Sequence, residues 1–367
     1  MKPSNYARWA VLAVIALPWT LTSSADPAGD EAFSALATIE QAAAEAYGPQ
    51  REEWLERVKA QRSSFERGLD WMIENGRGEE ALRFASALTV FWRSLGEITH
   101  ARERLTTVLA LPSAAAPTAA RAKALYDAGV LAFRQNDEAE SLARNKESLA
   151  IGERIGDKAA IQLALIGLSR VALRQHDYEA VRRSAARALG LAQQQDEQEG
   201  ELRAVHMLAA AARMSDDTVS AAKYYEYTLG AYAAQGDREG VAGELMNLGC
   251  VHLHRHDPDW ALRLLKESIA LYRSLKSEPG LAFDIGGLAG VAAERHDELR
   301  AARLLGSMDA AMKRLGIVLD PDDQLDRDRY FAMARGQISS RAFDAAYAEG
   351  QTMSISDALA LGLSESN

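Results

Sequence analysis

Cysteine is almost absent: Cys250 is the one thiol in 367 residues, so no internal disulfide can form and the chain offers no redox argument about its compartment. Proline is scarce as well, with nine residues, while Ala, Leu, Glu, Arg and Gln predominate, a mixture that favours helix. Positive charge is in deficit. The formal net charge is −10, with acidic residues spread along the chain, and such a field repels nucleic acid and anionic lipid. Three motifs are missing altogether: the G-x-x-x-x-G-K-[ST] phosphate loop, the H-E-x-x-H metal helix and the G-x-S-x-G nucleophile elbow. These absences point to binding rather than catalysis, with no cofactor, no metal and no nucleic acid expected.

The N-terminus has the order of a secretory signal. Lys2 and Arg8 precede an uncharged apolar run over residues 9–21, and Ser23, Ser24 and Ala25 follow it. The run has 13 residues, whereas a helix crossing a bilayer needs about 20. The expectation is a signal peptide over residues 1–25, cleaved after Ala25, and a periplasmic or secreted protein. The alternative is an uncleaved N-terminal membrane anchor.

What the sequence has in abundance is self-similarity. Arg134-Gln135-Asn136-Asp137 recurs as Arg174-Gln175-His176-Asp177, and steps of 40 residues then reach Asp217, Asp257 and Asp297, with Glu97 one step earlier. Along the first helix of each unit, one column reads Ala85, Leu125, Leu165, Val205, Leu245, Ile285 and another Leu88, Ala128, Leu168, Leu208, Leu248, Leu288. The residues after the second column, Thr89, Gly129, Ser169, Ala209, Gly249 and Ala289, are small. The three columns fall at i, i+3 and i+4, one face of a helix. In the second helix, Ala101, Ser141, Val181, Ala221, Ala261 and Ala301 supply a close-contact column, and Leu109, Leu149, Leu189, Leu229 and Ile269 supply bulk eight residues later. Asp309 breaks that bulk column, which suggests a more exposed last helix.

The turn between the helices carries Gly96, Asn136, His176, Asp216, His256 and His296. A left-handed residue that ends a helix is best supplied by Gly, and Asn, Asp and His tolerate the conformation better than other residues. The following aspartate then caps the second helix. Gly156, Gly236 and Gly316 close the second helices of their units.

The sequence therefore implies an all-α fold, an α-α superhelix or solenoid of six 40-residue helical hairpins over residues 77–320. Capping helices are expected over 26–76 and 321–367. Glu31 to Tyr47 and Arg51 to Asn75 read as single amphipathic helices, the second with the stripe Trp54, Val58, Phe65, Leu69, Met72. Ser354 followed by Asp357 opens the last helix.

The columns around Leu245-Met246-Asn247-Leu248-Gly249, with Ala261 twelve residues on, resemble the tetratricopeptide repeat (TPR) in a 40-residue form. More specifically, Trp54-Leu55-Glu56-Arg57, Phe91 to Gly96, Ala301 to Gly306 and Ala345 to Gly350 resemble the helical-repeat region of large LuxR-type ATP-dependent regulators and related predicted ATPases. That resemblance implies a sensor or scaffold half alone, since the phosphate loop of the ATPase is missing and the DNA-binding module is no part of the match.

Two clusters invite a chemical reading. His252 and His256 stand at i, i+4, as in helical metal sites, but His256 belongs to the turn column and His252 to a packing column, so no ligand set assembles. Cys250 sits beside a packing column and reads as a buried thiol. What remains is a groove lined by first helices, onto which Tyr126, Arg134, Arg170 and Arg174 project, followed by His206, Arg213, Met246, Asn247 and His254. Arginine suits bidentate capture of carboxylate or phosphate, and Asn247 suits a peptide backbone. The expected function is a non-enzymatic scaffold whose partner is a protein or peptide, an acidic segment fitting best. The regulator resemblance supplies the alternative, a sensor that binds a small effector.

Overall fold

The computed structural model describes residues 26–46 and 51–364. The signal segment expected over 1–25 lies outside the described residues, and no helix among these is long and apolar enough to cross a membrane. All regular structure among them is helical. The chain divides into two compact units, Met1–Val171 and Ala172–Asn367.

The first unit contains α1 (Pro27–Ala44), α2 (Arg51–Ala60), α3 (Arg62–Glu74), α4 (Gly78–Ser94), α5 (Ile98–Leu109), a short 3-10 helix (Pro112–Ala114), α6 (Ala119–Arg134), α7 (Glu138–Ile155) and most of α8 (Lys158–Arg174). Helices α1 and α3 pack on α4 around Ile39, Phe65, Leu69, Met72 and Phe84. Phe65 meets Phe84 edge-on at 6.5 Å, and a Cβ at Gly68 would stand 2.9 Å from the Phe84 ring. The single helix expected over Arg51 to Asn75 is two helices. They part at Gln61 (φ −101°, ψ 12°), and each has its own anchor: Trp54 of α2 donates to Glu45 Oε2 at 2.6 Å, whereas α3 buries Phe65, Leu69 and Met72.

The second unit continues with α9 (Tyr178–Gln194), α10 (Gln198–Met214), α11 (Thr218–Gln235), α12 (Arg238–His254), α13 (Pro258–Leu275), α14 (Glu278–Glu294) and α15 (Glu298–Leu315). Helices α16 (Pro321–Gln337), α17 (Ser340–Gln351) and α18 (Ile355–Leu363) follow. First helices thus begin at 158, 198, 238 and 278, one every 40 residues.

The period is written by the turns. Asn136, His176, Asp216, His256 and His296 have φ of 56–59° and Gly96 has 74°, the left-handed residue that stops the first helix. The next N–H then reaches back across it: Asp137 to Ala132 O, Asp217 to Ala212 O, Asp257 to His252 O and Asp297 to Ala292 O, each at 2.9 Å. The same aspartates accept the N–H three residues on, as from Ser220 to Asp217 and from Trp260 to Asp257, which contributes about 1 kcal/mol per cap. Glu97 makes no such cap; its carboxylate accepts from Arg62 Nη1 at 2.5 Å instead. The column of Gly156, Gly236 and Gly316 is completed by two residues without glycine's freedom, Asp196 (φ 53°) and Lys276 (φ 55°).

Two packing expectations change. The most buried column stands seven residues after the close-contact column, where Val108, Ser148, Ala188, Thr228, Ser268 and Met308 are all at most 3% exposed. Of the bulky column expected eight residues on, Leu109 and Ile269 are buried and Leu149, Leu189 and Leu229 are half-buried. Seven residues close two helical turns more nearly than eight, and the column's serine hydroxyls bond the facing helix, Ser148 Oγ to Ala122 O at 2.7 Å and Ser268 Oγ to Ala242 O at 2.9 Å. Helix α15 is also buried rather than exposed, because α16, α17 and α18 all pack on it. Asp309 does not mark an open face; its carboxylate accepts from Arg327 Nη2 and Tyr347 Oη, both at 2.5 Å.

The motifs that carried the regulator resemblance near the C-terminus prove to be one packing contact. A Cβ at Gly306 would stand 2.1 Å from Tyr347 O, and one at Gly350 only 1.9 Å from Arg303 O. Helices α15 and α17 therefore cross backbone to backbone.

Candidate functional site

Helices α10 and α12 present polar residues on the side from which a small-residue helix would be expected to show only packing. Arg213 lies next to last in α10, and Asn247, Cys250 and His254 recur at i, i+3 and i+7 along α12, one face of that helix. Across them lies α16. Proline at its first position and Asp320 at its N-cap start this helix. Its buried residues, Asp322, Asp326, Tyr330 and Ala334, step by four and form a single stripe, charged at the N-terminal end and apolar at the other.

The two surfaces meet at Arg213, which is 1% exposed. Its Nη2 donates to Asp322 Oδ2 at 2.5 Å and to Asp323 Oδ1 at 3.1 Å, and its Nη1 donates to Asn247 Oδ1 at 3.1 Å. The guanidinium lies 5.7 Å from the centre of the Tyr225 ring. Asn247 passes the network on, donating from Nδ2 to Glu244 Oε2 at 3.1 Å. The His254 ring is held at both nitrogens, Nδ1 by Asp216 at 2.9 Å and Nε2 by Asp326 at 2.6 Å.

Burial and charge pull these groups apart in proton affinity. Burial raises Asp323, adjacent Asp322 adds to it, and Arg213 offsets only part, leaving the carboxyl at about 8. Burial acts the same way on Asp326, but there Arg213 and the bond from His254 more than reverse it, and the carboxyl falls below the ordinary carboxylate range. His206, 3.7 Å from Glu244, is lowered by burial yet carried up to about 8 by Glu244, Asp322 and Asp320.

The Cys250 thiol is buried and pushed well up by that burial, which makes it a packing group rather than a nucleophile. Among the described residues, no group of three or more His, Cys, Asp or Glu could hold a metal ion.

No protein-family model and no curated protein matches the chain. Solved structures do. A Rap protein complexed with competence and sporulation factor shares 13% identity, covers 91% of this chain and 90% of its own, and superposes with a TM-score of 0.57. The apo form of RapI shares 12% identity over 88% of this chain and 86% of its own, with a TM-score of 0.51. The likeness is one of fold. It supports the all-α, TPR-like helical-repeat architecture.

The groove residues expected from the sequence are distributed unevenly. Arg213, Asn247 and His254 are brought together, and Met246 is buried beside them, 3.8 Å from Cys250 Sγ. They do not line an open groove, which corrects the sequence expectation: α16 covers them, because its acidic turn satisfies the cations that a partner was expected to meet. His206 is half-buried at the edge of this cluster. Tyr126 is half-buried in the first unit, with Lys123 Nζ 5.8 Å from its ring centre. Arg134, Arg170 and Arg174 are half-buried, and none of them is a free cation.

Asp322, Asp323, Asp326, Glu244 and Tyr330 escaped the sequence reading. One signal was available: three aspartates at i, i+1 and i+4 fall on the same stripe as Tyr330 and Ala334, so the apolar side of α16 begins in charge and requires a cation opposite.

Proposed function

We propose that the chain is a non-enzymatic protein- or peptide-binding scaffold of TPR-like repeats that recognises acidic, helical segments on its first-helix surface. The observation that supports this most is the seating of the acidic turn of α16 on Arg213 and His254. This surface already accommodates such a segment, supplied by the chain itself. The Rap protein of like fold, complexed with competence and sporulation factor, is in keeping with a binding role. The net charge of −10 disfavours nucleic acid as the partner. The signal-like residues 1–25 support export, so the periplasm or the exterior is where the partner is to be sought.

Affinity capture by the full chain, run at about 0.05 and 0.5 M salt, tests this. Mapping of the bound segment is expected to return an acidic helical stretch whose capture weakens with salt, since screening shortens the reach of exposed charge from about 14 to 4 Å. A neutral or basic segment, or capture indifferent to salt, contradicts the proposal.

One observation favours the second reading, a small-effector sensor. A cavity of about 240 Å³ in the first unit is lined by apolar Val58, Phe65, Leu88, Phe91 and Trp92 together with charged residues such as Arg62 and Glu66. Ligand pockets usually reach about 300–1,000 Å³, so this one is small for the role, and the peptide reading is preferred. A thermal shift produced by a metabolite and by no peptide reverses the preference.

A further inference from the structure

Helix α16 is built differently from the two helices that follow it. Helices α17 and α18 are held by apolar packing: Phe343, Ala346, Ala358 and Leu359 are at most 2% exposed, and the Gly306–Gly350 crossing locks α17 to α15. The N-terminal half of α16 is held by Asp322, Asp323 and Asp326 on Arg213 and His254. Its apolar anchors, Tyr330 and Ala334, come only in the second half.

Buried ion pairs of this kind add specificity more than stability, because the desolvation of each charge offsets most of the attraction. They are also easily replaced by a rival that presents the same carboxylates, since such a rival repeats the desolvation balance without leaving Arg213 bare. Non-helical residues set α16 off from its neighbours at both ends. The chain enters after the left-handed Gly316 (φ 66°) and leaves through extended Ile338 (φ −128°, ψ 165°). Helix α17 also packs directly on α15, and α18 on α14 and α15, independently of the acidic turn, while the second half of α16 meets α17 through Phe331, 4.7 Å between ring centres from Phe343.

We propose that α16 is an internal stand-in for the partner. The α10–α12 face reads an α-helix bearing carboxyl groups at i, i+1 and i+4 and an aromatic residue at i+8, and a partner with that pattern enters by displacing α16. This rests on the binding function proposed above and specifies its ligand as an acidic amphipathic helix.

The test uses the full chain and a fluorescein-labelled synthetic peptide of residues 320–337. A tethered segment competes at an effective concentration of about millimolar, and apparent affinity is reduced by the fraction of molecules that are open. The wild-type chain is therefore expected to bind the peptide weakly. The chain carrying Asp322→Asn and Asp326→Asn is expected to bind it at least about tenfold more tightly, a gain of about 1.4 kcal/mol, and the peptide carrying the same two substitutions is expected to bind neither chain. An unchanged affinity, in a variant of unchanged helicity and elution volume, overturns the proposal and leaves α16 a permanent cap.

A second measurement needs no variant. With saturating unlabelled peptide, amide exchange over residues 322–334 of the wild-type chain is expected to accelerate while α17 stays protected; no acceleration at millimolar peptide overturns the proposal. If other acidic segments bind with α16 still protected, this inference fails and the proposed function stands. If no acidic segment binds at all, the function itself fails.

Discussion

Arg213 and Asp322 are 109 residues apart in the chain and 2.5 Å apart in space, with side-chain exposures of 1% and 6%. Removing a single member leaves uncompensated charge in the interior. Arg213→Met is therefore expected to lower the unfolding free energy by about 3–5 kcal/mol. Replacing the group together, as Arg213→Met with Asp322→Leu and Asp326→Leu, is expected to recover most of that loss. Urea denaturation measures both; a loss below about 1 kcal/mol for Arg213→Met shows that the pair is solvated and contributes little.

The same cluster sets a pH dependence whose sign follows from proton counting. The folded chain holds protons on His206 and Asp323 up to about pH 8, whereas unfolded His and Asp release them near 6.5 and 3.9. Where the folded state binds more protons, stability falls as pH rises. Stability is thus expected to decline from about pH 4, where the unfolded Asp ionises while Asp323 keeps its proton, more steeply from about pH 6.5 as His206 adds to it, and to level off above about pH 8. Asp326, held low, acts in the opposite sense and contributes only to a loss below about pH 4. Thermal unfolding at pH 6 and pH 9 checks this, with a higher midpoint at pH 6 that narrows in His206→Gln. A midpoint that rises with pH refutes the assignment.

The turn columns provide a third test. Lys276 is exposed and left-handed at φ 55°, a conformation that costs a side-chain-bearing residue about 1–2 kcal/mol. Lys276→Gly is expected to stabilise by several tenths of a kcal/mol after the extra freedom that glycine gives the unfolded chain is subtracted, and Lys276→Val to destabilise. The opposite order in chemical denaturation contradicts the turn reading.

These columns were the most legible part of the sequence, because each repeat must solve one local problem in the same way. A left-handed residue followed by an aspartate cap is visible at His256-Asp257 with no knowledge of tertiary structure. The offset in the second helices was less legible: Leu229 looks like the core residue, while Thr228, with its hydroxyl turned back to Tyr225 O at 3.1 Å, is the buried one. The seat of α16 was illegible from one side alone. Arg213 was singled out as a cation in search of a carboxylate, but periodicity cannot show that the carboxylate belongs to the same chain. Asp322 and Asp326 look like a solvated face until Tyr330 and Ala334 place them on the buried one.

The central claim is that the α10–α12 face recognises an acidic helix, and calorimetric titration of the full chain tests it most directly. An acidic helical peptide with aspartates at i, i+1 and i+4 is compared with its Asp→Asn counterpart at about 0.05 M salt. The expected result is saturable binding of the acidic peptide and none of the neutral one. Equal binding of the two, or binding of neither, contradicts the claim.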